Sequence, residues 1–199
     1  MKTLVLHTPK GGSAKSTLAR EMAVAATLQG GVAALADLDP QGTTTGWYKR
    51  RKATAPVLVK LNHTLTDKAL AGAGVELLVI DTPPGAPAFI ERLLAQADAV
   101  LVPVRPTPDD LLAAAPIARS LAKHPRWAFV LSQVPPRTRL LTSATRQLAG
   151  LGRVAPVLMT FRADYPAAAI DGQAAVELPG KAGQEAAALY AYVQALLKE

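Results

Sequence analysis

Apolar and polar positions follow a regular order along the chain. Thr3-Leu4-Val5-Leu6-His7 is a short apolar run. Val32 to Asp37, Val75 to Ile80 (ending at Asp81), Ala99 to Val104 and Trp127 to Leu131 are four more. Between and after them, apolar residues recur with helical spacing over Lys15 to Gln29, Pro87 to Gln96, Asp109 to Lys123, Arg139 to Leu148 and Gly180 to Lys198. Gly30-Gly31 supplies the stop of the first helix. Near-continuous apolar strands with helical crossovers predict an α/β fold: a mostly parallel twisted sheet with helices on both faces. No repeat, low-complexity tail or long linker interrupts residues 1–199, which predicts a single domain. Ligands of such sheets bind beyond the carboxyl ends of the strands. The residues just after each strand are therefore the place to look for chemistry.

Three strand ends carry it. The first strand runs into Pro9-Lys10-Gly11-Gly12-Ser13-Ala14-Lys15-Ser16-Thr17. Glycines let backbone N–H groups curl around an anion, and the following helix adds the partial positive charge of its N-terminus. Lys15 would put an ammonium on the β- and γ-phosphates of a nucleotide, and the Ser16 hydroxyl would ligate Mg²⁺. A strict G-x-x-x-x-G-K-[ST] pattern is not met, because Pro9 and Ala14 stand at its glycine positions. The second strand leads into Asp37-Leu38-Asp39-Pro40-Gln41-Gly42. A later one leads into Asp81-Thr82-Pro83-Pro84-Gly85, where four apolar residues end in a carboxylate suited to the Mg²⁺ shell.

Together these segments identify a resemblance. Lys10-Gly11-Gly12-Ser13-Ala14-Lys15-Ser16-Thr17 resembles the deviant Walker A box, K-G-G-x-G-K-[ST]-[ST], of the ParA/MinD ATPases. Asp37 to Gly42 resembles their A′ motif, and Asp81 to Gly85 their Walker B and switch region. Val102-Pro103-Val104-Arg105-Pro106-Thr107-Pro108 is similar to a proline-rich stretch of the short plasmid-partition ParA proteins. The resemblance covers essentially the whole chain and implies a P-loop NTPase that uses ATP and Mg²⁺ and dimerises with nucleotide bound. It implies that Lys10, Gly11, Gly12, Ser13, Ala14, Lys15, Ser16 and Thr17 bind nucleotide. Lys10 would reach a partner copy's phosphates and Lys15 would act in its own subunit. Asp39 would position water with Asp37 in support, and Ser16 and Asp81 would hold the metal. A lysine delivered by a second subunit couples hydrolysis to assembly, as an arginine finger does.

Two positions depart from the pattern. Ala14 replaces a glycine, and if φ is positive there it costs roughly 1 kcal/mol, which predicts slow hydrolysis. Ser132 stands where the family often has a base-recognising asparagine, and serine offers one short hydroxyl.

Charge narrows the partner. The chain has 22 Lys+Arg against 15 Asp+Glu, a net +7, with no cysteine, and its isoelectric point is about 9.9. Absence of cysteine excludes disulfides, thiolate metal sites and a cysteine nucleophile. The three histidines, His7, His63 and His124, lack ligand spacing. An excess of positive charge suits a polyanion, either nucleic acid or acidic lipid. From Leu111 to Ala163, 53 residues hold eight basic groups and no acid, and Lys49-Arg50-Arg51-Lys52 forms a second cluster. Arg137, Arg139, Arg162 and Lys181 are the candidate contacts to non-specific DNA. The longest charge-free apolar stretch, Met22 to Ala36, is 15 residues, short of the roughly 20 a membrane span needs. The alanine-rich tail lacks the basic amphipathic face of a membrane-targeting helix, so no membrane partner is expected.

The expected protein is cytoplasmic and nucleoid-associated. It would be a dimerising ATPase that partitions or positions a plasmid, chromosome or large protein cargo, stimulated by a ParB-like or adaptor protein. The alternatives are an inactive ATP-binding module, because of Ala14, and a metabolic ATP-dependent ligase on the same fold, which would not need Lys10.

Overall fold

The computed structural model describes residues 1–61, 74–85 and 88–199. Six strands form one sheet: β1 (Lys2–Leu6), β2 (Ala33–Asp37), β3 (Val57–Val59), β4 (Leu77–Asp81), β5 (Ala99–Val104) and β6 (Trp127–Leu131). Their order is β3-β2-β4-β1-β5-β6, and every pairing is parallel. The described residues include seven helices: α1 (Lys15–Leu28), α2 (Thr43–Arg50), α3 (Ala88–Gln96), α4 (Pro108–Ser120), α5 (Leu140–Ala149), α6 (Asp164–Ile170) and α7 (Lys181–Leu196). Ala175–Glu177 is a single 3₁₀ turn.

Alternation along the strands divides the core in two. Leu4, Leu6, Leu35, Val79, Leu101 and Val130 face α1 and α7 on one side. Val5, Leu78, Ile80, Val100, Val102 and Phe129 face α3, α4 and α5 on the other. Both faces are covered, so the central strands read as apolar runs without polar alternation. α1 sits over the sheet with Leu18, Met22 and Val24 fully buried. α7 packs on it through Ala186, Leu189 and Val193, and this packing accounts for the alanine-rich tail.

The sequence reading located five strands and five helices within a few residues of where they lie. The first residue of the predicted Pro87 helix, and His63, lie outside the described residues. α4 stops three residues short of Lys123, because the chain turns at His124 N–H to Leu121 O ahead of Pro125, and a residue before proline avoids helical geometry. Three short elements, α2, β3 and α6, and the 3₁₀ turn were not anticipated. α2 begins Thr43-Thr44-Thr45, poor helix formers, and is fixed by tertiary contacts instead. Trp47 is fully buried, and its indole N–H donates to Gln173 O at 2.9 Å. The guanidinium groups of Arg20 and Arg51 lie over the ring, 5.7 and 5.2 Å from its centre.

The 3₁₀ turn is held from below by Glu21 of α1, whose carboxylate accepts Ala175 N–H at 2.8 Å and Val176 N–H at 2.9 Å. Burial dominates these bonds and the neighbouring Arg20, and pushes the Glu21 carboxyl up to about 7. Ionisation of this group therefore opposes folding. Its contribution is most favourable below its ordinary value of 4.5 and is lost as pH rises through about 7. Relative to Glu21→Gln, whose side chain does not titrate, the wild-type chain should lose roughly 3 kcal/mol between pH 4.5 and 7.5. Urea midpoints of the two proteins across that range measure it.

Candidate functional site

The carboxyl ends of β1, β2 and β4 meet at one edge of the sheet, because Leu6 and Asp37 each sit opposite Asp81 in register. The loop from β1 to α1 is shaped by two left-handed residues, Gly12 at φ 72° and Ala14 at φ 69°. Ala14 thus occupies the backbone region that glycine favours, at a cost of roughly 1 kcal/mol. No side chain caps α1, and its first turn holds no acidic residue. Its N–H groups and positive dipole end are left for an anion.

The loop carbonyls are held from outside. Ser132 Oγ donates to Ser13 O at 2.9 Å and Gln133 Nε2 to Gly12 O at 2.8 Å. Lys15 Nζ donates to Lys10 O at 3.1 Å, and Gly85 N–H donates to Pro9 O at 2.9 Å. Ser132 is fully buried in this bond. Its one donor is spent on the loop, so it braces the loop from the end of β6.

Lys15 is buried, and desolvation lowers its pKa against the opposing pull of Asp81 and Asp39. Asp81 is wholly buried. Thr44 Oγ1 of α2 donates to its Oδ2 at 2.7 Å, while Oδ1 has no hydrogen-bond partner among the described residues. Burial raises its carboxyl to about 6, although the Thr44 and Ser16 hydroxyls and Lys15 oppose the shift. An orphaned, buried carboxylate oxygen near the Ser16 hydroxyl fits a hydrated divalent cation. Among the described residues no cluster of three or more His, Asp or Glu could hold a metal by itself. Such an ion would therefore need ligands from water and phosphate.

Asp37 and Asp39 are tied to backbone. Asp37 Oδ1 accepts Asp39 N–H at 3.1 Å, and its Oδ2 accepts Thr45 N–H at 2.7 Å, in the first turn of α2. Asp39 Oδ1 accepts Gln41 N–H at 2.9 Å. Gly11 to Thr17 and Asp39 line a common cleft of about 290 Å³ together with Arg20, Thr43, Pro84 and Gln133. Ala14, Thr17, Arg20 and Gln133 are shared with a larger adjoining groove of about 790 Å³. Lys10 is exposed.

The sequence reading missed several contributors. Thr44 and Gln133 carry no local signal. Arg105, salt-bridged to Asp110, lies against the loop, with NH1 3.6 Å from where a Cβ on Gly12 would stand. His7, buried beside Lys15, has its pKa pushed down to about 4, mainly by desolvation. Its Nδ1 is 2.9 Å from Thr82 Oγ1, whose hydroxyl donates to Leu6 O.

Among the proposed DNA contacts, Arg137, Arg139 and Lys181 are exposed. Arg162 is not free: its guanidinium donates to Glu185 Oε1 at 3.0 and 2.7 Å. The acid-free stretch is likewise partly neutralised by residues outside it, since Arg153 pairs with Glu199. In the 49–52 cluster, Arg51 forms a two-pronged bridge to Glu177, and Arg50 donates to Gly46 O and Ala169 O. Lys49 and Lys52 face solvent and, among the described residues, have no such bonds.

Comparison with known proteins agrees with this layout. The family described as CbiA, the CobQ/CobB/MinD/ParA nucleotide binding domain, matches residues 4–175. The chain is 32% identical over 201 residues to "Maintenance of carboxysome distribution protein A" of Halothiobacillus neapolitanus, covering 93% of this chain and 91% of that one. The fold is similar to an ATP complex of a Cyanothece McdA variant, with TM-score 0.75 at 15% identity over 100% of this chain and 96% of that one. It is also similar to Pyrococcus horikoshii MinD with Mg-ADP, with TM-score 0.74 at 13% identity over 98% and 96% of the chains. No helix among the described residues is long and apolar enough to cross a membrane.

Removing the Ser132 hydroxyl orphans the buried Ser13 carbonyl. Ser132→Ala should therefore cost about 1–3 kcal/mol in urea unfolding without nucleotide. An unchanged urea midpoint would show that the bond does not brace the loop.

Proposed function

Because this chain belongs to the CobQ/CobB/MinD/ParA nucleotide binding domain family, we propose that it is an ATP-dependent switch. It dimerises with nucleotide bound, holds DNA non-specifically and positions a large cargo, hydrolysing ATP slowly until a partner protein stimulates it. The observation that carries this reading is the contrast between the two lysines of one loop. Lys15 is buried against the loop and beside Asp81. Lys10 is exposed, and among the described residues its ammonium makes no hydrogen bond or ion pair. Among the described residues the acid whose charge acts on Lys10 is Asp110, already bridged to Arg105, and a second subunit would supply a phosphate. A metabolic ligase needs no such lysine.

In this reading the amides of Gly11 to Thr17 cradle the phosphates, and Lys15 neutralises their charge. Ser16 and Asp81 hold Mg²⁺, which supplies charge neutralisation and orientation of the phosphates. Asp39, beside the loop in the cleft, positions the attacking water. Asp37 keeps the Asp39 segment in register with α2 through its two backbone bonds. Ala14 already adopts left-handed geometry, which favours an intact phosphate loop over an inactive binding module. The 32% identical relative is named for distributing carboxysomes. That favours a protein assembly as cargo, with an adaptor as the stimulating partner, over a plasmid with a ParB-like one. Arg137, Arg139 and Lys181 are the exposed residues offered to DNA.

Lys10→Ala should keep Mg-ATP binding but lose both the dimer and hydrolysis, whereas Lys15→Ala loses nucleotide. Phosphate release by the wild-type chain and by Ala14→Gly must exceed that of Lys15→Ala, or the ATPase claim fails. With ATP present, affinity for random duplex should fall with salt, at a log–log slope of about −0.9 per phosphate contact. A gel shift with no salt-sensitive binding removes the DNA step.

A further inference from the structure

Arg20 of α1 is a cation buried without a counter-ion. It is 9% exposed, and among the described residues its guanidinium forms no ion pair. Its hydrogen bond there runs from Nη2 to Thr17 Oγ1, at 3.2 Å, and the Trp47 ring lies 5.7 Å away. The carboxylates whose charge reaches it are Glu21, Asp81 and Asp37. Both oxygens of Glu21 and of Asp37 accept backbone N–H groups, and Asp81 accepts from Thr44. A guanidinium has five N–H donors in a planar fork. Most of those of Arg20 are uncommitted, and a buried charge left in that state is costly.

The side chain stands where an anion would relieve that cost. Side chains of a helix lean toward its N-terminus, so Arg20 reaches back to Thr17 in the first turn of α1. It lines the phosphate cleft together with Gly11 to Thr17. Lys15 is the other buried cation lining it. In the nucleotide reading above, Lys15 serves the β- and γ-phosphates. The α-phosphate is left without a side-chain cation, and Arg20 is anchored two residues further along the same helix face of the loop.

We propose that Arg20 is a further nucleotide-binding residue, whose guanidinium donates to the α-phosphate in the same subunit as Lys15. The inference rests on the nucleotide reading and adds a residue outside its motifs, which end at Thr17.

The test compares the full chain with Arg20→Met. An arginine kept only to pack on Trp47 would lower the urea midpoint without nucleotide when it is replaced. A ligand-seeking arginine should leave that midpoint unchanged or raise it, while calorimetric affinity for Mg-ADP falls by about tenfold or more. The two diastereomers of ADPαS each carry sulfur, a poorer acceptor, in place of one α-phosphate oxygen. One of them should bind the wild-type chain more weakly than ADP does, and Arg20→Met should narrow that gap. If Arg20→Met does not fold, Arg20→Lys, which keeps the charge without the fork, is read for the same narrowing. No gap in the wild-type chain, or an unchanged gap in the variant, overturns the inference. So does ADP affinity equal to wild type, which leaves the nucleotide reading intact. A wild-type chain that binds no Mg-ADP overturns both.

Discussion

The structure depends on a loop that must expose its amides and still be rigid. A helix N-terminus with no side-chain cap is normally a loose end, and here it follows two left-handed residues, one of them alanine. The chain resolves this by spending the loop's carbonyls outward. Pro9 O is held by the segment after β4, Gly12 O and Ser13 O by the residues after β6, and Lys10 O by the Lys15 ammonium. With the oxygens engaged from outside, the N–H groups and the dipole of α1 remain for an anion. The order β4-β1-β5-β6 makes this possible, because it brings the ends of strands remote in sequence around the same loop.

The same principle governs the carboxylates. Asp37 and Asp81 occupy paired positions on adjacent strands, yet they do different work. Both oxygens of Asp37 accept backbone N–H groups, so it organises the start of α2. Asp81 uses one oxygen on Thr44 and keeps the other bare in a buried setting. An unpartnered buried oxygen is expensive and persists where a ligand completes it.

The sheet and the turn from β1 into α1 were legible in the sequence because both are written locally: apolar runs of strand length, and glycines with lysines between a strand and a helix. The family resemblance of Lys10 to Thr17, Asp37 to Gly42 and Asp81 to Gly85 agrees with the matched family and with the folds compared. What was illegible is what tertiary contacts decide. α2 contradicts its own propensities and is held by Trp47, Arg50 and Arg51. Ser132 was read through its hydroxyl's capacity for a base, but the loop carbonyl of Ser13 claims that hydroxyl. Arg162 was read as surface charge, since its partner Glu185 is 23 residues away, one turn into α7. Counting charge along a chain overlooks acids that fold back onto it, as Glu177, Glu185 and Glu199 do.

The chain's only two tryptophans are both buried, on opposite faces of the sheet. Trp127 stands at right angles to Phe129, 5.0 Å between ring centres, on the edge strand β6. Trp47 sits on α2 with the guanidinium groups of Arg20 and Arg51 over its ring, and the first turn of that helix is bonded to Asp37 and Asp81. Fluorescence therefore comes with a built-in pair of reporters. The emission of one is exposed to the charges around α2, whose first turn carries those bonds. The other lies in the opposite core beside Phe129, so replacing it with phenylalanine leaves an intrinsic signal that belongs to Trp47 alone.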